Sequence, residues 1–400
     1  MNAEGVGDGR GDDLPYDPTA RRDTPLALKL KAQIKERGPL PLSDYMHACL
    51  YDEVHGYYRG ADAIGAGGDF TTSSEISQLF GEIIGIWAAV VWKTMGAPER
   101  FNLIELGPGR GTLLADALRA ANLVSGFLDA ADVALIETNT VLQDRQAATL
   151  ARDSASVRSL NWYGSLADIW REDKEAALWP TIIVGNEFLD TAPADQFSWT
   201  EQGWQKRLVG LDDAGRLGFV TGEITEEAAQ ATSPGSTDLK ARFPSAAQGD
   251  MITVPLYDMM DDVVAPWPKF AALFVDYGHE TPAIGDTLQA VRRHHFEHPL
   301  TSPGEADLTT QVDFAAVVER ARGHRDGVEA DGPVTQAEFL GRLGILQRTS
   351  KLMAMNPDKA PEIEAGVMRL MAPNGMGTRF KVIGFRSADV PTLPGLEPNG

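Results

Sequence analysis

Two kinds of residue stand out for the chemistry they could do. One is a tight run of glycines. The other is a set of carboxylates at the ends of apolar stretches. The glycines lie in Leu103-Ile104-Glu105-Leu106-Gly107-Pro108-Gly109-Arg110-Gly111-Thr112, after a strand-like run and before a helical pattern. Gly107, Gly109 and Gly111 let the backbone turn sharply and approach a ligand closely. Dinucleotide folds cradle a pyrophosphate in such a loop, but their fingerprint is G-x-G-x-x-G, whereas the spacing here is G-x-G-x-G. Glu105, two residues before the first glycine, would repel a pyrophosphate. It suits a ligand with a positively charged amino-acid end, such as S-adenosyl-L-methionine. The next strand-like run, Val133–Glu137, ends in an acid that can accept both hydroxyls of a ribose. Strand before, helix after, and acids at 105 and 137 favour a cofactor loop over a plain turn. Beyond the run Val157–Trp162, Ser165 and Leu166 are candidates to line an adenine. An ordinary surface loop accounts for them equally well.

The second set is Gly185-Asn186-Glu187-Phe188-Leu189-Asp190. Ligands in α/β sheets bind beyond the carboxyl ends of the strands, which puts Asn186, Glu187 and Asp190 at the chemical edge. Methyl transfer from a sulfonium is an in-line displacement, and most of its catalysis is positioning. Carboxylates hold a cationic acceptor by paired hydrogen bonds. They also orient a guanidinium or accept its proton. Methyltransferases acting on base amino groups carry Asn-Pro-Pro-Tyr or a relative at this place, and this chain lacks it. Two acids point to arginine as the acceptor; simple capping by either acid is the bland alternative. A further run, Phe274-Val275-Asp276-Tyr277-Gly278-His279, ends on the same edge. Asp276 and His279 could shape the pocket there, and His279 is a candidate general base or, as readily, a structural histidine. His294, His295 and His298 lack a carboxylate partner at ligand spacing, so no metal is expected.

Composition sets the frame for these sites. The 400 residues carry 36 Lys and Arg against 57 Asp and Glu, a net charge of −21, with 43% hydrophobic residues to fill a core. So acidic a chain disfavours broad nucleic-acid binding, and its basic runs are only dipeptides such as Arg21-Arg22, Lys206-Arg207 and Arg292-Arg293. An anionic membrane surface is disfavoured for the same reason. The longest apolar run, Ile83–Trp92, is half a membrane span. Cys49 is the single cysteine, so it forms no intramolecular disulfide and no thiolate metal cluster. A buried thiol is expected there. The acidic N-terminus has no apolar signal core. A cytoplasmic protein is expected.

The elements that must position the site follow from periodicity. Residues 1–23 are expected as a disordered tail and 24–96 as a helical segment that covers the cofactor. Within it, Thr72 and Glu75 have capping-box spacing ahead of a helix over Ile76–Met95, whose exposed face could serve a dimer, although helix core is the simpler reading. From 97 to 388, strands at Phe101–Leu106, Val133–Glu137, Thr181–Asn186 and Leu273–Tyr277 alternate with helices at Leu113–Ala121 and Thr140–Ala151. That rhythm predicts an α/β fold with a doubly wound, Rossmann-like parallel sheet. Residues 196–260 break it with an antiparallel meander. Residues 305–372 read as a helical addition, Arg379–Phe385 as a last strand and 389–400 as a tail.

Several motifs occur together and in order: Gly68-Asp69-Phe70-Thr71-Thr72-Ser73, the glycine loop, Asn186-Glu187-Phe188-Leu189-Asp190, Asp276-Tyr277-Gly278-His279, Ala306-Asp307-Leu308-Thr309 and Met376-Gly377. On these the chain resembles the MidA family of S-adenosylmethionine-dependent methyltransferases over residues 24–388. The resemblance implies a seven-stranded class I methyltransferase fold. It implies Glu105, Gly107, Gly109 and Gly111 at the methionine end of the cofactor and Glu137 at the ribose. It places Thr71 and Thr72 over the cofactor, and Asn186, Glu187 and Asp190 at the transferred methyl. It further implies symmetric dimethylation of arginine on a protein, as in mitochondrial members that act in assembly of respiratory complex I. Ser74 where Pro is usual, and Thr191-Ala192 where Ala-Leu is usual, leave the protein target open. A small-molecule methyltransferase and a non-catalytic cofactor-binding assembly factor are the competing readings.

Overall fold

A computed structural model describes residues 16–60, 72–153, 156–222, 239–265 and 267–398. Its centre is a sheet of seven strands: β1 (Phe101–Leu106), β2 (Ala131–Ile136), β3 (Ser159–Tyr163), β4 (Thr181–Asn186), β5 (Phe270–His279), β6 (Val328–Thr335) and β7 (Phe380–Ser387). Their order is β6-β7-β5-β4-β1-β2-β3. The five strands from β5 to β3 run parallel, and β7 is antiparallel to both β5 and β6. A short eighth piece, Val312–Asp313, pairs in parallel with the end of β5. The doubly wound α/β sheet is therefore as expected. The order reverses direction between β1 and β4, and a ligand crevice belongs at that switch point.

β1 is buried along its whole length and β4 up to its last residue, because helices cover both faces of the sheet. On one face α3 (Gln78–Thr94) lies against α4 (Thr112–Ala121). Gly81 and Gly85 make that approach possible: a Cβ at Gly85 would stand 2.2 Å from the carbonyl oxygen of Ala117. The same core takes in Phe339, Leu340, Ile345, Val367 and Leu370. They come from helices Gln336–Arg342, Ile345–Met355 and Ala360–Met371. The other face packs Leu166, Ile169, Met260, Val263, Trp267, Phe314 and Val317.

A second sheet stands beside the first. Strands Ala194–Thr200, Gly203–Leu211, Leu217–Gly222 and Met251–Pro255 form the antiparallel meander, joined by Leu40–Pro41. Helices α1 (Pro25–Arg37) and α2 (Leu42–Tyr51) share a core with this sheet and with Leu288, Ala290 and Leu308. Cys49 is buried in that core, and burial pushes its thiol up to about 12. A buried ion pair, Lys206 to Asp195 at 2.6 Å, and the hydroxyl of Ser43 on Asp195 at 2.9 Å tie α2 to the meander.

Several expectations need correction. The 24–96 stretch is divided: α1 and α2 go to the second sheet, and α3 goes to the first. The helix expected from Ile76 starts at Gln78, because Ser77 is extended (φ −156°, ψ 130°) and its hydroxyl caps Leu79 N–H. Twelve of the seventeen α3 residues are buried, so most of its surface is core. The N-terminal tail reading fails from Arg21, whose guanidinium donates to Leu217 O, and Arg22, whose N–H donates to Thr301 O; residues 1–15 lie outside the described residues. The C-terminal tail reading also fails, since Val390, Leu393 and Leu396 are buried against the sheet. The region 305–372 is not purely helical. It contains β6, an edge strand whose register shifts between Asp331 and Val334. Gly332-Pro333 hid it, since proline is tolerated only at an edge or a bulge.

Candidate active site

The crevice is built first by backbone. β1 ends at Leu106, and the chain turns through Gly107, Gly109 and Gly111 at φ 58°, 54° and 78° before α4 starts. A side chain would be strained at each of these angles. Gln146, fully buried on the helix Thr140–Leu150, fixes the loop from behind. Its amide donates to Gly109 O at 2.8 Å and to Glu137 Oε2 at 3.2 Å, and it accepts from Trp162 Nε1 at 2.8 Å. One side chain thus ties the loop to β2 and β3. Nothing in the sequence marked it, because a mid-helix glutamine is usually solvated.

Above the loop lies a cleft open to solvent. Its walls are Glu105, Gly107–Arg110, Thr112 and Leu113 on one side, Asn186, Glu187, Asp190 and Thr191 on another, with Thr72, Ser74 and Glu75 at the rim and Tyr58, Tyr277, Asp307 and Thr309 completing it. Glu105 is 5% exposed, and its Oε2 has no hydrogen-bond partner. Burial alone pushes its carboxyl up to about 8. A carboxylate left in this state costs free energy until a cation or donor reaches it.

Glu187 has φ 52°, which is rare for a residue with a side chain and is found chiefly where function fixes the backbone. Its N–H donates to Val275 O at 2.8 Å, and its Oε1 accepts from Ser73 N–H at 2.7 Å and Asn186 Nδ2 at 3.2 Å. Burial raises its pKa, while those donors and the more distant Arg369 charge oppose the rise. Asp190 is buried in the turn that follows, and its Oδ1 has no partner. Burial raises its pKa well above the carboxylate range, and the charges of Asp276 and Asp307 add to this.

Asp276 explains how the turn is held. It is fully buried at the end of β5. Its Oδ2 accepts from the N–H groups of Phe188, Leu189 and Asp190 at 3.0, 2.8 and 3.2 Å, and its Oδ1 accepts from Tyr277 N–H at 2.9 Å. Burial raises its pKa and the Glu187 charge adds to this, while the N–H groups of Tyr277, Asp190 and Leu189 pull it back. Asp276 therefore shapes the pocket by fixing the backbone that presents Glu187 and Asp190.

Glu105, Gly107, Gly109, Asn186, Glu187, Asp190 and Thr72 all border the cleft, and Gly111 closes its loop. Thr71 lies outside the described residues. Thr72 does not form the expected capping box. Its hydroxyl pairs with Ser74 Oγ at 3.0 Å, and Glu75 pairs instead with Arg110 at 3.6 Å. Four other candidates do not line the cleft. Glu137 already accepts from Asn139 N–H at 2.8 Å and from Gln146. Ser165 donates to Asp168 at 2.8 Å, and Leu166 is buried in the core. His279 is carried past the cleft because β5 runs on to pair with Val312–Asp313, and its Nδ1 sits 2.7 Å from Thr281 O. The general-base role offered for it has no geometric support.

Residues 83–334 match the family model described as "Putative S-adenosyl-L-methionine-dependent methyltransferase". The chain belongs to this family. It is 33% identical over 376 residues to the protein arginine methyltransferase NDUFAF7, mitochondrial, of Danio rerio, covering 88% of this chain and 84% of the relative. The Homo sapiens protein of that name is 30% identical over 390 residues, covering 91% and 84%. A solved structure from Burkholderia thailandensis, bound to S-adenosyl-homocysteine, superposes with a TM-score of 0.80 at 27% identity, over 96% of this chain and 98% of that one. The methyltransferase's own residues fit the donor of its family. The glycine loop admits close backbone approach, and Glu105, which borders the cleft, keeps an unpartnered oxygen that a cationic amino-acid end would satisfy.

Proposed function

We propose that this methyltransferase modifies arginine side chains of a protein, ending in symmetric dimethylation, with a subunit of respiratory complex I as its target. The observation that carries the arginine reading is the charge of the cleft wall. Glu187, Asp190 and Asp307 border it, and Arg110 is the sole cation among the described residues that do so. Arg110 is itself paired with Glu75. The relatives named as arginine methyltransferases, and the MidA resemblance that connects them to complex I, support the finer parts of the reading.

When bound, S-adenosyl-L-methionine supplies an electrophilic methyl on a sulfonium. The chain's residues do the rest. Glu187 and Asp190 hold the guanidinium by charge-assisted hydrogen bonds and aim one nitrogen. As the nitrogen–carbon bond forms, that nitrogen must lose a proton. Asp190, kept ionised by the charge of the bound guanidinium, can accept it. The test is incubation of the purified protein with methyl-labelled S-adenosyl-L-methionine and a cell extract, followed by mass spectrometry of the labelled product. Label on arginine is expected, with Glu187→Gln lowering the rate by about a hundredfold. Label on another atom, or an unchanged rate in Glu187→Gln, would overturn the assignment.

A further inference from the structure

One part of the cleft is supplied by segments outside the central sheet. Asp307 begins the strand Asp307–Thr309, which pairs with Gln289–Arg292 in a three-stranded sheet. That strand is brought to the site by a backbone hydrogen bond, Thr310 N–H to Asp190 O at 2.9 Å. Asp307 is 7% exposed and borders the same cleft as Asp190. Its Oδ1 accepts from the hydroxyl of Tyr58 at 3.1 Å. Tyr58 comes from the short turn Tyr57–Arg59, which is anchored to the start of the helix after β2 through Asn139 Nδ2 on Tyr58 O at 2.7 Å. Three distant parts of the chain thus converge on the Asp190 turn. Two buried carboxylates stand there, and Asp190 Oδ1 is buried with no partner.

A buried carboxylate oxygen without a partner, such as Asp190 Oδ1, costs free energy until a donor reaches it. We infer that Asp190 and Asp307, with Tyr58 and Tyr277, form the subsite for the acceptor's cationic head, and that Asp307 is a specificity residue selecting a guanidinium. A guanidinium is planar and has five N–H donors in a fixed fork, so it can meet two acids that come from different elements. An ammonium is a compact point charge, more strongly hydrated, and gains less from a divided pair. The inference rests on the proposed arginine reading and adds a residue to it from outside the methyltransferase core.

The test uses the full chain and two variants. Asp307→Asn keeps an oxygen for the Tyr58 hydroxyl while removing the charge; Tyr58→Phe removes the donor and keeps the ring. In Asp307→Asn, KM for the labelled acceptor should rise about tenfold or more, with kcat changed far less and affinity for S-adenosyl-L-methionine unchanged by calorimetry. In Tyr58→Phe the rise should be smaller. A second readout needs no turnover: binding of arginine amide to protein saturated with S-adenosyl-homocysteine should weaken by a similar factor in Asp307→Asn. Equal binding by wild type and variant, or binding to neither, overturns the subsite. So does label on arginine with KM within twofold of wild type. Label on a lysine or a cationic small molecule would overturn the arginine reading, yet a raised KM for that acceptor would still support a cation subsite. Label on an uncharged acceptor would overturn both.

Discussion

Glu105 and Asp276 are buried acids on β1 and β5, two strands flanking β4, and their surroundings give them different work. Glu105 has an oxygen without a partner, so burial sets its carboxyl near 8. In the unfolded chain the same group titrates near its ordinary value of about 4.3. Between those values the folded protein holds a proton that the unfolded chain has released. The stability it contributes is therefore full below the unfolded value and is lost as pH rises through about 8. Ligand-free Glu105→Gln should lose that part of the decline in urea midpoint between pH 6 and 9; an identical slope in wild type and variant would refute the assignment. Asp276, by contrast, is surrounded by four N–H donors. Asparagine can offer its one oxygen to only one side, stranding either Tyr277 N–H or the three N–H groups of the turn. Asp276→Asn should cost about 2–4 kcal/mol in urea unfolding, at 1–3 kcal/mol per stranded buried group. It should also lower kcat more than tenfold while calorimetry shows the cofactor still bound. Position in the chain showed that acids lie at strand ends. It could not show which way each side chain turns, and that is why Ser165 and His279 were placed in a cleft they do not reach.

At the scale of elements, the site depends on how closely α3 and α4 approach, because the glycine loop is the entry to α4. Gly81 and Gly85 sit where that contact is tightest, and their missing side chains would meet backbone or Cβ atoms of α4 at 2.6 Å or less. Backbone cannot swing aside as a flexible side chain can. Gly85→Ala should therefore destabilise the protein by about 1–3 kcal/mol, as overpacking does. It should also weaken S-adenosyl-L-methionine binding by displacing the loop, although residue 85 is not among those that wall the cleft. Unchanged denaturation and unchanged calorimetric affinity would show that the helices yield freely. Elements of this kind were legible where one face is apolar and the ends are punctuated: β1 and β4 fall where their apolar runs put them, stopped by glycine or asparagine. β6 was not legible, because an edge strand needs neither a continuous apolar run nor freedom from proline. The convergence of Asp307 on Asp190 was not legible either, since 117 residues separate them and only the tertiary fold brings them together.

Over the whole molecule, the net charge of −21 marks the partner only through the few acids that the fold buries in one cleft. The Rossmann-like sheet supplies the loop and the turn. The turn at Tyr58 and the strand at Asp307 supply the remaining wall, so these additions are parts of the site. The C-terminal segment is bound in the same way. Leu393 N–H donates to Asp331 Oδ2 at 2.9 Å, Arg386 donates to Val390 O at 2.7 Å, and Arg342 donates to Gly395 O and Glu397 O at 3.1 and 2.9 Å. Val390, Leu393 and Leu396 fill the core beside Phe339 and Leu340. A proline- and glycine-rich stretch looks like a tail because it lacks periodicity, but three apolar side chains at spacings of three can seal a core without regular structure. Deleting residues 389–400 should remove roughly 5 kcal/mol of burial, at about 1.5–3 kcal/mol per large apolar side chain. It would also leave the Asp331 and Arg342 groups short of partners. The expected result is a clearly lowered urea midpoint, with most of the loss reproduced by Leu393→Ala alone, since a buried leucine truncated to alanine costs about 2–5 kcal/mol. A truncated chain as stable as the full one would mean that the segment rests on the core without supporting it.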